Sequence, residues 1–103
     1  MSNILNTNQI TQIEFTQNIQ CFCPLGKDFY TAQVSVSMHP DKYIPDYCEI
    51  EAYMRKLSGR DLIIEDLVGE VYEYLNHLIN PGKLKVTAYV NDAAHFGVIV
   101  TKE

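Results

Sequence analysis

Tyr30-Thr31-Ala32-Gln33-Val34-Ser35-Val36-Ser37-Met38 alternates apolar and polar residues without a break. A strand sends successive side chains to opposite faces, so Tyr30, Ala32, Val34, Val36 and Met38 share one face. Thr31, Gln33, Ser35 and Ser37 share the other. The pattern predicts a half-buried strand with one apolar face and one wet or partner-covered face. His39-Pro40-Asp41-Lys42 and Pro45 end it. Upstream, Pro24 and Gly26 within Cys21-Phe22-Cys23-Pro24-Leu25-Gly26-Lys27-Asp28 mark a turn. Before the turn, Ile10, Ile13, Phe15 and Ile19 are sparse anchors among Asn and Gln. They predict a weak edge strand that follows a loose terminus over residues 1–9.

Downstream, the period changes. Asp46-x-x-Glu49 resembles a capping box that opens a helix. Tyr47, Ile50, Tyr53 or Met54, and Leu57 carry helical spacing, and Ser58-Gly59 stops it, Gly serving as the left-handed residue. A second helix is predicted from about residue 63 to 79, with Ile64, Leu67, Val68, Val71, Leu75 and Leu78 as its stripe. Asn80-Pro81-Gly82 terminates it. Two strands follow. Leu84, Val86, Ala88 and Val90 alternate against Lys85, Thr87 and Tyr89. After Asn91-Asp92-Ala93, Phe96, Val98 and Val100 alternate against His95, Gly97, Ile99 and Thr101. The order ββααββ predicts an α+β domain over residues 10–103: an antiparallel four-stranded sheet with both helices on one face. Long open edges in such a sheet predict a homo-oligomer in which edges pair between copies into a ring or barrel.

Composition narrows the function classes. The chain has 103 residues, 47% hydrophobic and 20% charged, which suits one globular domain. Lys plus Arg is 8 and Asp plus Glu is 13, a net charge of −5, so there is no basic footprint for nucleic acid. No apolar run reaches the roughly 20 residues of a membrane span, and the first residues lack the pattern of a secretory signal. Three cysteines, Cys21, Cys23 and Cys48, argue against a disulfide framework and for a reducing cytoplasm. Cys21-x-Cys23 lacks a second ligand pair and His39, His77 and His95 stand singly, so no metal site is expected.

The ββααββ order resembles the tunnelling-fold (T-fold) superfamily, whose members bind purine or pterin rings at subunit interfaces. In that superfamily a glutamate near the start of the second helix grips the ring's N–H edge. Leu62-Ile63-Ile64-Glu65-Asp66-Leu67 places Glu65 there, and dihydroneopterin aldolases carry a similar Ile-Glu-x-Leu stretch. A carboxylate accepts two adjacent N–H donors of a guanine-like ring in a bidentate pair. Cys23-Pro24-Leu25-Gly26-Lys27-Asp28-Phe29, followed by a strand and Pro40, resembles the 7-cyano-7-deazaguanine reductases, the nitrile reductases of queuosine biosynthesis. Their motif is Cys-Pro-x-Thr-Gly-x-Pro-Asp-Phe. The resemblance implies that Cys23 attacks a nitrile to form a thioimide and that Asp28 moves protons.

The match has gaps. Cys23 and Asp28 are five apart where the family has seven, and Cys21 restores the seven-residue spacing without the following proline. The reductases use NADPH, but their cofactor-contacting Glu-Ser-Lys-Ser-Leu-Lys segment reads Glu49-Ile50-Glu51-Ala52-Tyr53-Met54, with neither lysine. No cofactor is therefore assigned. Relatives that form an amidine from the thioimide with ammonia or glutamine need no hydride donor. Two functions stay open at this point. One is an enzyme acting on a purine- or pterin-like heterocycle, by reduction or amidine formation. The other is a non-catalytic ring that binds such a ligand or serves as a scaffold. Each residue also has a plainer reading. Glu65 suits a helix's first turn on dipole grounds alone. Cys23 could be a small buried residue, Asp28 a turn former, and His95, taken as a ligand contact, a surface strand residue.

Overall fold

The computed structural model describes residues 4–91 and 96–103. The alternating segment forms β3, Asp28–His39, the second of four strands in an antiparallel sheet. It pairs along one edge with β2, Ile13–Cys23, and along the other with β5, Lys83–Val90. β6, Val98–Lys102, completes the order β2-β3-β5-β6. Helices α1, Tyr47–Leu57, and α2, Ile64–Ile79, lie between β3 and β5 in the chain. The α+β class and the antiparallel four-stranded sheet are as the sequence predicts.

The first strand of this sheet is stronger than its composition suggests. β2 runs 11 residues and stays in register with β3 from Ile13↔Met38 to Cys23↔Asp28. Pairing along a well-specified neighbour supplies what its own Asn- and Gln-rich sequence lacks. The terminus read as loose is partly tied down as well. β1, Ile4–Leu5, pairs with β4, Tyr43–Ile44, in a separate two-stranded sheet. The Asn6 side chain holds the turn that follows, accepting from Ile10 N at 2.9 Å and donating to the carbonyls of Ile10 and Asp41.

The core lies between the sheet and the helices. Ile19, Cys21, Ala32, Val34, Val36, Met38, Val86 and Ala88 present one sheet face, and Ile50, Met54, Leu67, Val71 and Leu75 cover it. Burying each large side chain is worth about 1.5–3 kcal/mol. The helices also meet each other through Tyr53 and Tyr74, stacked 3.6 Å between ring centroids. The opposite sheet face carries Thr16, Ser35, Thr87 and Thr101, with cross-strand hydroxyl contacts of 3.2 Å. The same face also carries exposed Phe29, Tyr89 and Ile99.

The two helix starts differ. Asp46 caps α1 through its side chain, accepting from Cys48 N at 3.0 Å and Glu49 N at 3.4 Å. Ile63 stands at the cap position of α2 and offers no side-chain bond. Gly59, at φ 83°, takes the left-handed turn after α1. Asn80 plays the same part after α2 at φ 46°. The last strand begins later than its alternation suggests: β6 starts at Val98, and Phe96 lies outside it. Pairing with β5 begins only at Val90↔Val98.

Candidate functional site

The β2–β3 hairpin is longer than the strand that flanks it. β3 pairs with β5 only from Gln33↔Tyr89 onward, so residues 28–32 run past the end of that ladder. The resulting corner, beside the hairpin turn, holds a cavity of about 340 Å³. Its walls include Phe29, Tyr30, Ile64 and Phe96, and Cys23 and Asp28 open into it. That volume lies at the lower end of small-molecule sites.

Strand register brings Cys23 and Asp28 together. They are directly opposite partners at the last rung before the turn. Such partners have Cβ atoms about 4.5–5.5 Å apart. The shortened turn therefore still places thiol and carboxylate side by side, because they are counted across the hairpin rather than along it. The turn is closed by Lys27 N donating to Cys23 O at 2.7 Å, with Lys27 left-handed at φ 56°. Gly26 N donates to Cys23 Sγ at 3.4 Å, which holds the sulfur toward the cavity rim. Asp28 Oδ1 accepts from Phe29 N at 2.8 Å, leaving its other oxygen available.

Cys21, two residues away on the same face, is different. It is 0% exposed and its thiol donates to Leu57 O at 3.3 Å. Burial pushes its pKa up, opposed in part by a hydrogen bond with Tyr30 and the charge of Arg60. A thiol that keeps its proton is a poor nucleophile, so Cys21 is a core residue and Cys23 is the accessible one.

Glu65 stands in the first turn of α2, exposed, one residue past the cavity wall at Ile64. About 100° of helical rotation separates the two. Its carboxylate lines a separate depression of about 360 Å³ with Asp66, Glu70, Glu73 and Lys102. Within one chain, Glu65 and Cys23 do not share a cavity. His95 lies outside the described residues. Among the described residues no group of His, Cys, Asp or Glu could hold a metal ion, and no helix is long and apolar enough to cross a membrane.

Residues 49–54, which by the resemblance would contact a nicotinamide dinucleotide phosphate, do not fit that group. Ile50 and Met54 point into the core, and Glu51 is ion-paired with Arg55. Carboxylates stand where phosphate needs cations. Three cavity residues went unassigned in the sequence. Phe29, 56% exposed, and Phe96, 79% exposed, supply flat apolar surface. Tyr30 reads as an ordinary inward strand residue. The available signal was its position, beside Asp28 on the inward face.

No family profile matches the chain. By sequence it is 31% identical over 78 residues to the NADPH-dependent 7-cyano-7-deazaguanine reductase of Aquifex aeolicus (strain VF5). That match takes in 76% of this chain and 57% of the relative, so the chain spans little more than half of that protein's length. By structure it matches the apo form of the archaeosine synthase QueF-Like with a TM-score of 0.82 at 22% identity. The superposition covers 89% of this chain and 91% of the other.

Proposed function

We propose, from the tunnelling fold of this chain and its resemblance to the 7-cyano-7-deazaguanine reductases, that it performs covalent nitrile chemistry on a 7-deazaguanine-type heterocycle. One observation carries this reading: Cys23 and Asp28 face each other across the hairpin and open into one apolar-walled cavity. Asp28 takes the thiol proton of Cys23. The sulfur adds to the nitrile carbon, and Asp28 returns the proton to the nitrile nitrogen, giving a thioimide. Splitting one difficult addition into two steps is the gain of a covalent intermediate. Ammonia then attacks the same carbon, the C–S bond breaks, and an amidine leaves with the thiol restored. The amidine branch is preferred over reduction because residues 49–54 carry Glu49 and Glu51 and no lysine.

Glu65 lines a neighbouring depression rather than its own chain's cavity. In this reading it grips the ring in the cavity of an adjoining copy, and His95 contacts the same ligand. The outer edge of β6 and the Glu14 to Asn18 stretch of β2, which the linker between the helices leaves uncovered, supply the means of assembly. A clean 11.8 kDa monomer in light scattering would overturn this part of the proposal.

The test is intact-mass measurement after incubation with 7-cyano-7-deazaguanine. The expected result is an adduct carrying the whole mass of the ligand, absent in Cys23→Ala and converted to an amidine by ammonium. No adduct, or one that persists in Cys23→Ala, rejects the covalent mechanism. Binding that survives Cys23→Ala, with no adduct in the unaltered chain, favours a ligand-binding ring without catalysis.

A further inference from the structure

We infer that Tyr30 is a positioning residue: its phenol fixes where α2 starts, and with it where Glu65 is presented to the bound ring. The inference deepens the proposed nitrile chemistry and rests on it for its functional half. Its structural half stands alone.

The linker between the helices lies along the outer edge of β2. Gly59 N donates to Gln20 O at 2.7 Å, Phe22 N to Arg60 O at 3.0 Å, and Leu62 N to Phe22 O at 3.0 Å. Phe22 and Asp61 form a parallel bridge, so the linker acts as a short extra strand. The next backbone bond, Leu67 N to Ile63 O at 3.0 Å, already belongs to α2. No capping side chain intervenes, because Ile63 has none to offer. The side-chain tie at this joint is the Tyr30 hydroxyl, which donates to the Leu62 carbonyl. Tyr30 reaches it from β3, across β2, where it is the register partner of Cys21. Leu62 is three residues before Glu65.

One side chain therefore connects three parts. Its backbone belongs to the strand that carries Asp28. Its ring walls the cavity beside Cys23. Its hydroxyl holds the segment that launches Glu65. Burial, first of all, pushes the phenol's pKa above the ordinary 10.0, which favours the protonated form that donates to Leu62. Asp46 caps α1 by accepting from its N–H groups, whereas Tyr30 anchors the segment leading into α2 by donating to a carbonyl.

Tyr30→Phe keeps the ring and removes the bond. Two measurements test it. Amide hydrogen exchange over residues 62–67 should accelerate about five- to tenfold, the effect of losing one net hydrogen bond, while α1 stays unchanged. In adduct formation with 7-cyano-7-deazaguanine, the half-saturating concentration should rise by about the same factor, with the limiting rate kept within about twofold. Added to Glu65→Gln, Tyr30→Phe should weaken binding no further, since it acts through Glu65. Unchanged exchange overturns the inference. So does faster exchange without a change in half-saturation, or a fully additive double variant. If the unaltered chain forms no adduct, the covalent reading falls. The same variants titrated calorimetrically with that ligand then decide the positioning role, and absence of binding by the unaltered chain overturns both.

Discussion

The part of the β2–β3 hairpin beneath the helices and the part at its tip follow one alternation but have different surroundings. Ile19, Cys21, Ala32 and Val34 are sealed under α1 and α2. Cys23 and Asp28, two rungs beyond Cys21 and Tyr30 and farthest past the end of the β3–β5 ladder, look into a cavity at the hairpin tip. The two cysteines are two residues apart on one face, yet one hydrogen-bonds a helix carbonyl in the core and the other meets solvent. The exposure of each thiol is thus set by what packs over its stretch of the hairpin rather than by the alternation of β2 itself.

The sharpest test of that contrast is a swap of the two thiols. Cys23→Ala should abolish the ligand adduct outright. Cys21→Ala should keep the adduct and lower stability by about 1–2 kcal/mol, read by urea unfolding. An adduct lost in Cys21→Ala and kept in Cys23→Ala would reverse the assignment. Next in size, Leu75→Ala empties the middle of the covered region and should cost about 2–5 kcal/mol. Phe29→Ala at the tip should change stability by no more than about 0.5 kcal/mol while weakening ligand binding. Equal losses at both positions would mean that the tip is as much core as the rest.

Alkaline pH separates the regions in another way. Cys21 and Tyr30 both have raised pKa values in the folded chain, so above their ordinary 9.0 and 10.0 the folded state binds more protons than the unfolded one. Their contribution is present in full below pH 9.0 and is lost as pH rises past it. The urea midpoint should hold steady from about pH 7 to about pH 8.5 and fall above 9, and Cys21→Ala should delay the onset toward 10. A midpoint that rises with alkali contradicts the sign. Away from both regions, Asp46→Ala should cost about 1 kcal/mol by removing the α1 cap, with no effect on the adduct.

Periodicity made most of this architecture legible. The faultless alternation of Tyr30 to Met38, the stripe from Ile64 to Leu78 and the stops at Gly59 and Asn80 each state a local preference that the tertiary structure keeps. β2 was underread because its stability comes from its partner: Gln17 faces Val34 in the ladder, and nothing in Gln17 announces that. The N-terminal turn was missed because one amide, that of Asn6, organises it across a separation of 35 residues to Asp41. At the site, the Cys23 and Asp28 pair was legible as a motif. Their adjacency became clear only with the register, since a turn of five looks too short until the residues are matched across strands. Tyr30 was invisible as a tie because its partner is a backbone carbonyl in a linker of no distinctive sequence.

The linker along β2 also sets a limit on neighbours. By occupying Gln20 and Phe22 it leaves only the stretch from Glu14 to Asn18 with outward main-chain groups unspent on that side. A second chain laying a strand there would meet Gly59 as a buffer stop and could not slide toward the turn.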